Sequence, residues 1–268
     1  GATADVYIAS AGNPGFNKLT TNGTNTNWSG STESLSGSQL ASGLTLGPSR
    51  GFLTVSGANT QGVVAHNLVT LSPSSQTAFT SGSPASLVFT AASLGEPDAG
   101  SYDVFIGTSA TTSSGELYKT RFSPGMPVGA FNPNDQMTAR SGPFDAANST
   151  FTPAHQPILG GGGALFVVST QGDLAIFNPL GRFWGAPAAT TTFGAVSVSP
   201  TLDVSRTATG APQCGRPGTL YVLSNTGTVT AFIVDSPGLE RRAAWPRFQH
   251  DNANSGNADM SNDAWSCP

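Results

Sequence analysis

Gly218-Thr-Leu-Tyr-Val-Leu-Ser-Asn-Thr-Gly-Thr-Val-Thr-Ala-Phe232 reads as two short β-runs joined by a turn at Gly227. Leu220 to Leu223 is aliphatic and aromatic, Ser224 to Gly227 holds turn-forming residue types, and β-branched residues dominate the second run from Thr228 onward. Such a hairpin is marginal in water by itself. Something else in the chain must cover it.

The covering material is more of the same. First runs occur at Asp5-Val-Tyr-Ile8, Phe52-Leu-Thr-Val55, Asp103-Val-Phe-Ile106, Leu165-Phe-Val-Val168 and Leu220-Tyr-Val-Leu223, spaced by 47, 51, 62 and 55 residues. Turn glycines come next at Gly15, Gly62, Gly115, Gly172 and Gly227. Second runs then cover 16–19, 63–69, 116–122, 173–177 and 228–234, and a large apolar residue closes each unit: Trp28, Leu71, Phe122, Trp184 and Trp245. Four units also carry an upstream strand, traced at 43–47, 86–91, 156–159 and 196–204. Short strands in units of about 50 residues are the mark of propeller blades, thin sheets that bury their faces only by stacking on neighbours around an axis. The closing residues would be the wedges between blades, each burying on the order of 200 Å².

The units also carry a family resemblance. Gly218 to Phe232 resembles a repeat of the pyrroloquinoline-quinone-like, quinoprotein-type propellers, and so does Ala164-Leu-Phe-Val-Val-Ser-Thr-Gln-Gly-Asp-Leu-Ala-Ile-Phe177. Asp5 to Trp28, with Thr21-Asn-Gly-Thr24 before the Trp, fits the end of such a repeat. The segment Trp245-Pro-Arg-Phe-Gln-His-Asp-Asn-Ala-Asn-Ser-Gly256 resembles one often seen at a terminus of these arrays. The likeness is strong over 1–28 and 155–256 and degenerate over 29–100. It implies an all-β propeller of about five four-stranded blades, forming one domain over 1–268 with a tail at 246–268. The first unit lacks its upstream strand. The tail is expected to supply it and close the ring, or else the chain is the C-terminal part of a larger propeller whose open faces a partner must cover. On function the resemblance is silent, since such propellers include enzymes, assembly scaffolds and binding modules.

Composition agrees with an all-β reading. Charged residues make up 10% of the chain against about 25% in an average domain. Lys18 and Lys119 are the only lysines. Ser, Thr, Gly, Asn and Pro take the place of the helix formers. A net charge of −4 and a pI near 5.2 give no basic footprint for nucleic acid or an anionic membrane. No apolar run approaches the roughly 18 residues of a spanning helix. The start, Gly1-Ala2-Thr3-Ala4, is not a signal peptide, so either a signal was removed or the chain is a segment. Cys214 and Cys267 lack metal or redox spacing and are expected to form a disulfide tying the tail to an upstream loop, which implies a secreted, extracellular or periplasmic protein.

Catalytic constellations do not assemble. Quinoprotein dehydrogenases hold their quinone between a Trp and a vicinal disulfide beside calcium and a catalytic Asp, but this chain has no adjacent cysteines. His66, His155 and His250 are far apart and lack metal-ligand spacing. No G-x-S-x-G elbow occurs. Asp251 to Gly256 departs from a calcium loop at Ala253 and at Asn262. Gly160 to Gly163 lacks the Lys-Ser/Thr of a phosphate loop and precedes a strand. The expectation is therefore a protein without catalytic, cofactor or metal residues, serving as a protein-interaction or self-assembly scaffold. The alternative is a carbohydrate-binding propeller using Trp184 and Trp265 for sugar stacking.

Overall fold

A computed structural model describes residues 4–10, 15–21, 26–31, 38–40, 43–47, 49–57, 62–69, 73–76, 87–90, 92–95, 101–110, 116–122, 136–137, 155–170, 172–177, 183–185, 194–196, 198–247 and 267. These residues form five antiparallel sheets, one for each unit of the sequence. The first is β1 (Ala4–Ser10), β2 (Gly15–Thr21) and β3 (Thr26–Ser31), in that order. In the second, β4 (Ser38–Leu40) and β5 (Thr45–Leu46) share one side of β6 (Arg50–Gly57), followed by β7 (Gly62–Asn67) and β8 (Pro73–Gln76). In the third, β9 (Leu87–Phe89) and β10 (Ser93–Leu94) share β11 (Tyr102–Ala110), followed by β12 (Glu116–Phe122) and β13 (Gln136–Met137). The fourth runs β14 (Ile158–Leu159), β15 (Leu165–Val168), β16 (Leu174–Phe177), β17 (Phe183–Gly185), and the fifth β18 (Thr201–Asp203), β19 (Gly218–Leu223), β20 (Val229–Val234). No α-helix occurs among the described residues. Gly161–Gly163 forms a 3-10 turn between β14 and β15, with Gly162 and Gly163 at positive φ.

The repeat extends to hydrogen-bonding detail. In the β15–β16 turn the Asp173 amide donates to Ser169 Oγ at 2.9 Å, and in the β19–β20 turn the Thr228 amide donates to Ser224 Oγ at 3.1 Å. Gly172 and Gly227 occupy the same place in the two turns, at φ 99° and 83°, a region only glycine enters freely. The first and third sheets share another device. Asp5 pairs with Lys18 at 2.6 Å, and the Lys18 ammonium lies 5.6 Å from the Tyr7 ring centroid; Asp103 pairs with Lys119 at 3.1 Å, which lies 5.7 Å from the Phe105 ring.

Each sheet uses its two faces on two different neighbours, because successive side chains on a strand point to opposite sides. On the second sheet Leu53, Val55 and Val64 pack with Phe16 of the first, while Phe52, Val63 and Ala65 pack with Val104, Ile106 and Phe122 of the third. Phe105, lying between Val104 and Ile106 in sequence, faces the fourth sheet and meets Leu165, Val167 and Phe177. The other alternation of the fourth sheet, Phe166, Val168 and Leu174, packs on Leu202, Leu220, Val222 and Val234 of the fifth. Four sheet-on-sheet layers therefore run through the molecule in chain order.

A return segment at 238–247 ties this stack together. The Glu240 amide donates to Leu159 O at 2.9 Å, the Leu159 amide donates to Pro246 O at 2.8 Å, and Trp245 pairs antiparallel with Leu94. Trp245, the residue named as the closing wedge of the fifth unit, lies buried with Phe52 and Phe122 between the second and third sheets. Among the described residues the first and fifth sheets have three strands and the fourth has four, while the second and third are four positions wide, because β4 with β5 and β9 with β10 each share one side of the next strand. The tail expected to close a ring lies, over 248–266, outside the described residues.

Candidate functional site

A row of buried polar side chains marks the starts of the inner strands. Thr45 Oγ1, opening β5, donates to Ala92 O at 2.7 Å, and Gln156 Nε2 donates to the same carbonyl. Ser93 Oγ, opening β10, donates to Pro157 O. Arg247 Nη2 reaches Pro200 O at 3.5 Å and Thr201 Oγ1 at 3.4 Å beside β18. All four side chains are buried. Their donors go to backbone carbonyls, and in Arg247 also to the Thr201 hydroxyl, which satisfies buried polar groups and fixes neighbouring segments against one another. Chemically this row is a set of cross-links.

The residues singled out from sequence are scattered over the stack. His66, buried in β7, stacks on Phe16 with ring centroids 4.9 Å apart. His155 is half-buried before β14, and burial holds its imidazole below the usual range against a backbone hydrogen bond at Val196. His250 lies outside the described residues, as do Leu71, Trp265 and the segment Asp251 to Gly256. Trp28 stands on β3 opposite Leu19, and Trp184 on β17. Phe122 is buried and meets Phe52 edge-on, with centroids 5.5 Å apart. Among the described residues, no group of three or more His, Cys, Asp and Glu could hold a metal. Asp5, Lys18 and Tyr7 act on one another's titration. The hydrogen bonds from Lys18 and then Thr20 hold the Asp5 carboxyl below its ordinary value, Asp5 raises the Lys18 ammonium, and burial pushes the Tyr7 phenol up.

Cys214, in the loop between β18 and β19, is bonded to Cys267, with Cα atoms 5.4 Å apart. Arg247 and Cys267 are thus both held on the fifth unit. Among the described residues no helix is long and apolar enough to cross a membrane.

The feature that sequence reasoning missed is the outer face of the fifth sheet. Leu220, Val222 and Val234 cover the fourth sheet, but the alternate set points to solvent: Tyr221 is 42% exposed, Leu223 38%, Val229 63% and Ile233 74%. Register places them together, with Tyr221 opposite Ala231, Leu223 opposite Val229 and Ile233 opposite Thr219. The first sheet ends the stack similarly: Val6 is 47% exposed and Ile8 39%, beside Leu19 and Asn17 on the same face. The signal was present in the sequence, because both alternations of 219–234 are apolar. There it says that both faces want cover, not what supplies it.

No family model matches the sequence, and no curated protein matches it. Among solved structures, one titled "YCF48 bound to D1 peptide" overlaps 89% of this chain and 77% of its own at 12% identity, with a TM-score of 0.32. That overlap is too loose to assign a family.

Proposed function

We propose that this chain is a non-catalytic, propeller-type scaffold for protein interaction, working in an oxidising compartment outside the cytoplasm, secreted or periplasmic. The observation carrying the reading is that a stack of sheets, each covered by the next, ends on an apolar face with nothing over it among the described residues. Tyr221, Leu223, Val229 and Ile233 together expose roughly 400 Å² of side chain, near the size at which an apolar patch marks an interaction site. The Cys214–Cys267 bond supports the compartment, since such bonds persist where thiols are oxidised. The two cysteines are bonded across 53 positions, whereas a quinone site of the quinoprotein kind uses neighbours.

The test is recovery of the native protein from its source with whatever it is bound to, beside an Ile233→Lys variant and a glycan array. Association with protein that the variant loses is the expected result. Glycan binding that survives Ile233→Lys would overturn the reading in favour of a lectin, and turnover of any substrate would overturn its non-catalytic part.

A further inference from the structure

Resting on that reading, we infer that the partner of the uncovered face is a second copy of this chain: the outer face of one copy's fifth sheet stacks on the outer face of the other copy's first sheet. Four layers inside the molecule already state what covers such a face, namely the alternate apolar row of another antiparallel sheet. The two faces left over are the two ends of that series, so stacking one on the other adds a fifth layer of the same construction. Continuity with the four existing layers is the first argument.

Charge is the second. The outer face of the first sheet carries Val6, Ile8, Asn17 and Leu19, while its charged pair Asp5–Lys18 stands on the face turned toward the second sheet with Tyr7. On the fifth sheet the only charge in the outward rows is Asp203, at the β18 edge, held by Arg206 at 2.8 Å. Neither surface would bury an uncompensated charge, the usual obstacle to apolar association. Area sets its strength. The exposed apolar residues, roughly 400 Å² on the fifth sheet and roughly 150 Å² at Val6 and Ile8, make a contact at the small end of specific interfaces, and so a weak, reversible association.

The geometry fixes the symmetry. Two different surfaces meet, so the contact is heterologous, and each copy in a pair keeps one free face for a further copy. Growth continues until a ring closes or a filament forms.

Sedimentation velocity of the full chain between about 1 and 100 µM tests this. The expected result is concentration-dependent growth past the dimer. Val6→Lys blocks one face and Ile233→Lys the other, so each variant alone should be monomeric, with self-association at least tenfold weaker. An equimolar mixture should give dimers and nothing larger, because one intact face of each kind remains. Both positions are exposed, and near-ultraviolet circular dichroism checks that the variants fold; Ile8→Lys and Val229→Lys replace either one that does not. Loss of association in Ile233→Lys but not in Val6→Lys would overturn the inference in favour of like-face pairing. A mixture that stays monomeric would also overturn it. A wild-type chain that stays monomeric yet binds a different protein through Ile233 would overturn self-docking and leave the scaffold reading standing. A monomer that binds no protein would sink both.

Discussion

The Leu94 amide donates to Trp245 O at 2.9 Å, and the Trp245 amide returns the bond to Leu94 O at 3.2 Å. The pair fastens the end of the fifth unit to the inner strand of the third. Trp245 fills the space beside Phe52, Val104 and Phe122, so its removal opens a cavity between two sheets that belong to neither of its sequence neighbours. Trp245→Ala should lower the unfolding free energy by about 3–5 kcal/mol, and Trp245→Phe by less. Denaturant titration followed by circular dichroism measures both. A loss under about 1 kcal/mol for the alanine variant would mean that the return segment does not hold the stack.

The disulfide should contribute through the unfolded chain. Cys214 and Cys267 are 53 positions apart, and on the chain-entropy account closing a loop of that length is worth about 4 kcal/mol. Cys214→Ser with Cys267→Ser should lose stability of that order at most. Reductant should destabilise the wild type and leave the double variant unchanged. Equal sensitivity of both to reductant would show that the bond is not what reductant breaks.

Acid should weaken the protein through His155. Burial depresses its folded pKa below the ordinary 6.5, and the opposing hydrogen bond at Val196 offsets this only in part. The unfolded chain therefore takes up a proton first as the pH falls. Stability is whole above about pH 6.5 and is lost as the pH drops from there toward the folded value. Melting temperatures at pH 7.5 and pH 5 should differ more in the wild type than in His155→Gln. An unchanged difference would assign the acid sensitivity elsewhere.

The Asp5–Lys18 pair titrates in the opposite windows. Asp5 is depressed, so its contribution is present above pH 3.8 and lost as acid passes its folded value; Lys18 is raised, so its contribution holds below 10.5 and is lost as the pH climbs through its folded value. Both side chains are partly exposed, which limits the coupling to about 0.5 kcal/mol in a double-mutant cycle of Asp5→Asn and Lys18→Gln. The cycle at pH 7 should show that coupling, and the coupling should fade as acid protonates the Asp5 carboxylate in the folded protein. A coupling that persists in acid would mean the carboxylate is not its source.

The five hairpins were legible because they are local. Leu165 to Val168 and Leu220 to Leu223 are β-rich runs bounded by turn glycines, and Gly172 and Gly227 stand where the turn requires them. The layers were legible as a consequence, since runs such as Leu165-Phe-Val-Val168 are apolar on both alternations and must meet two neighbours. Trp245 was not. Its spacing makes it the closing residue of the last unit, but its place depends on where a return segment finds a free edge, here Leu94, and no local pattern encodes that. The outer row of Tyr221, Val229 and Ile233 was not legible for a related reason: an apolar alternation records that a face wants cover, not whether the same chain supplies it.

The two matched turns give a sharper test of the repeat than any single position. Gly172 and Gly227 both hold positive φ, so alanine at either pays the left-handed strain of about 1–2 kcal/mol. Their surroundings differ. A Cβ on Gly227 meets nothing within 4 Å, whereas one on Gly172 runs into the backbone carbonyl of Gly194 at less than contact distance. Backbone cannot swing aside as a flexible side chain can. Gly227→Ala should therefore cost the strain alone, and Gly227→Asn less still, because asparagine visits this region more readily. Gly172→Ala and Gly172→Asn should both cost clearly more than their Gly227 counterparts, with asparagine bringing no relief. Four denaturation curves decide it. Equal costs at the two sites, or rescue of Gly172 by asparagine, would mean that the segment carrying Gly194 does not press against the turn.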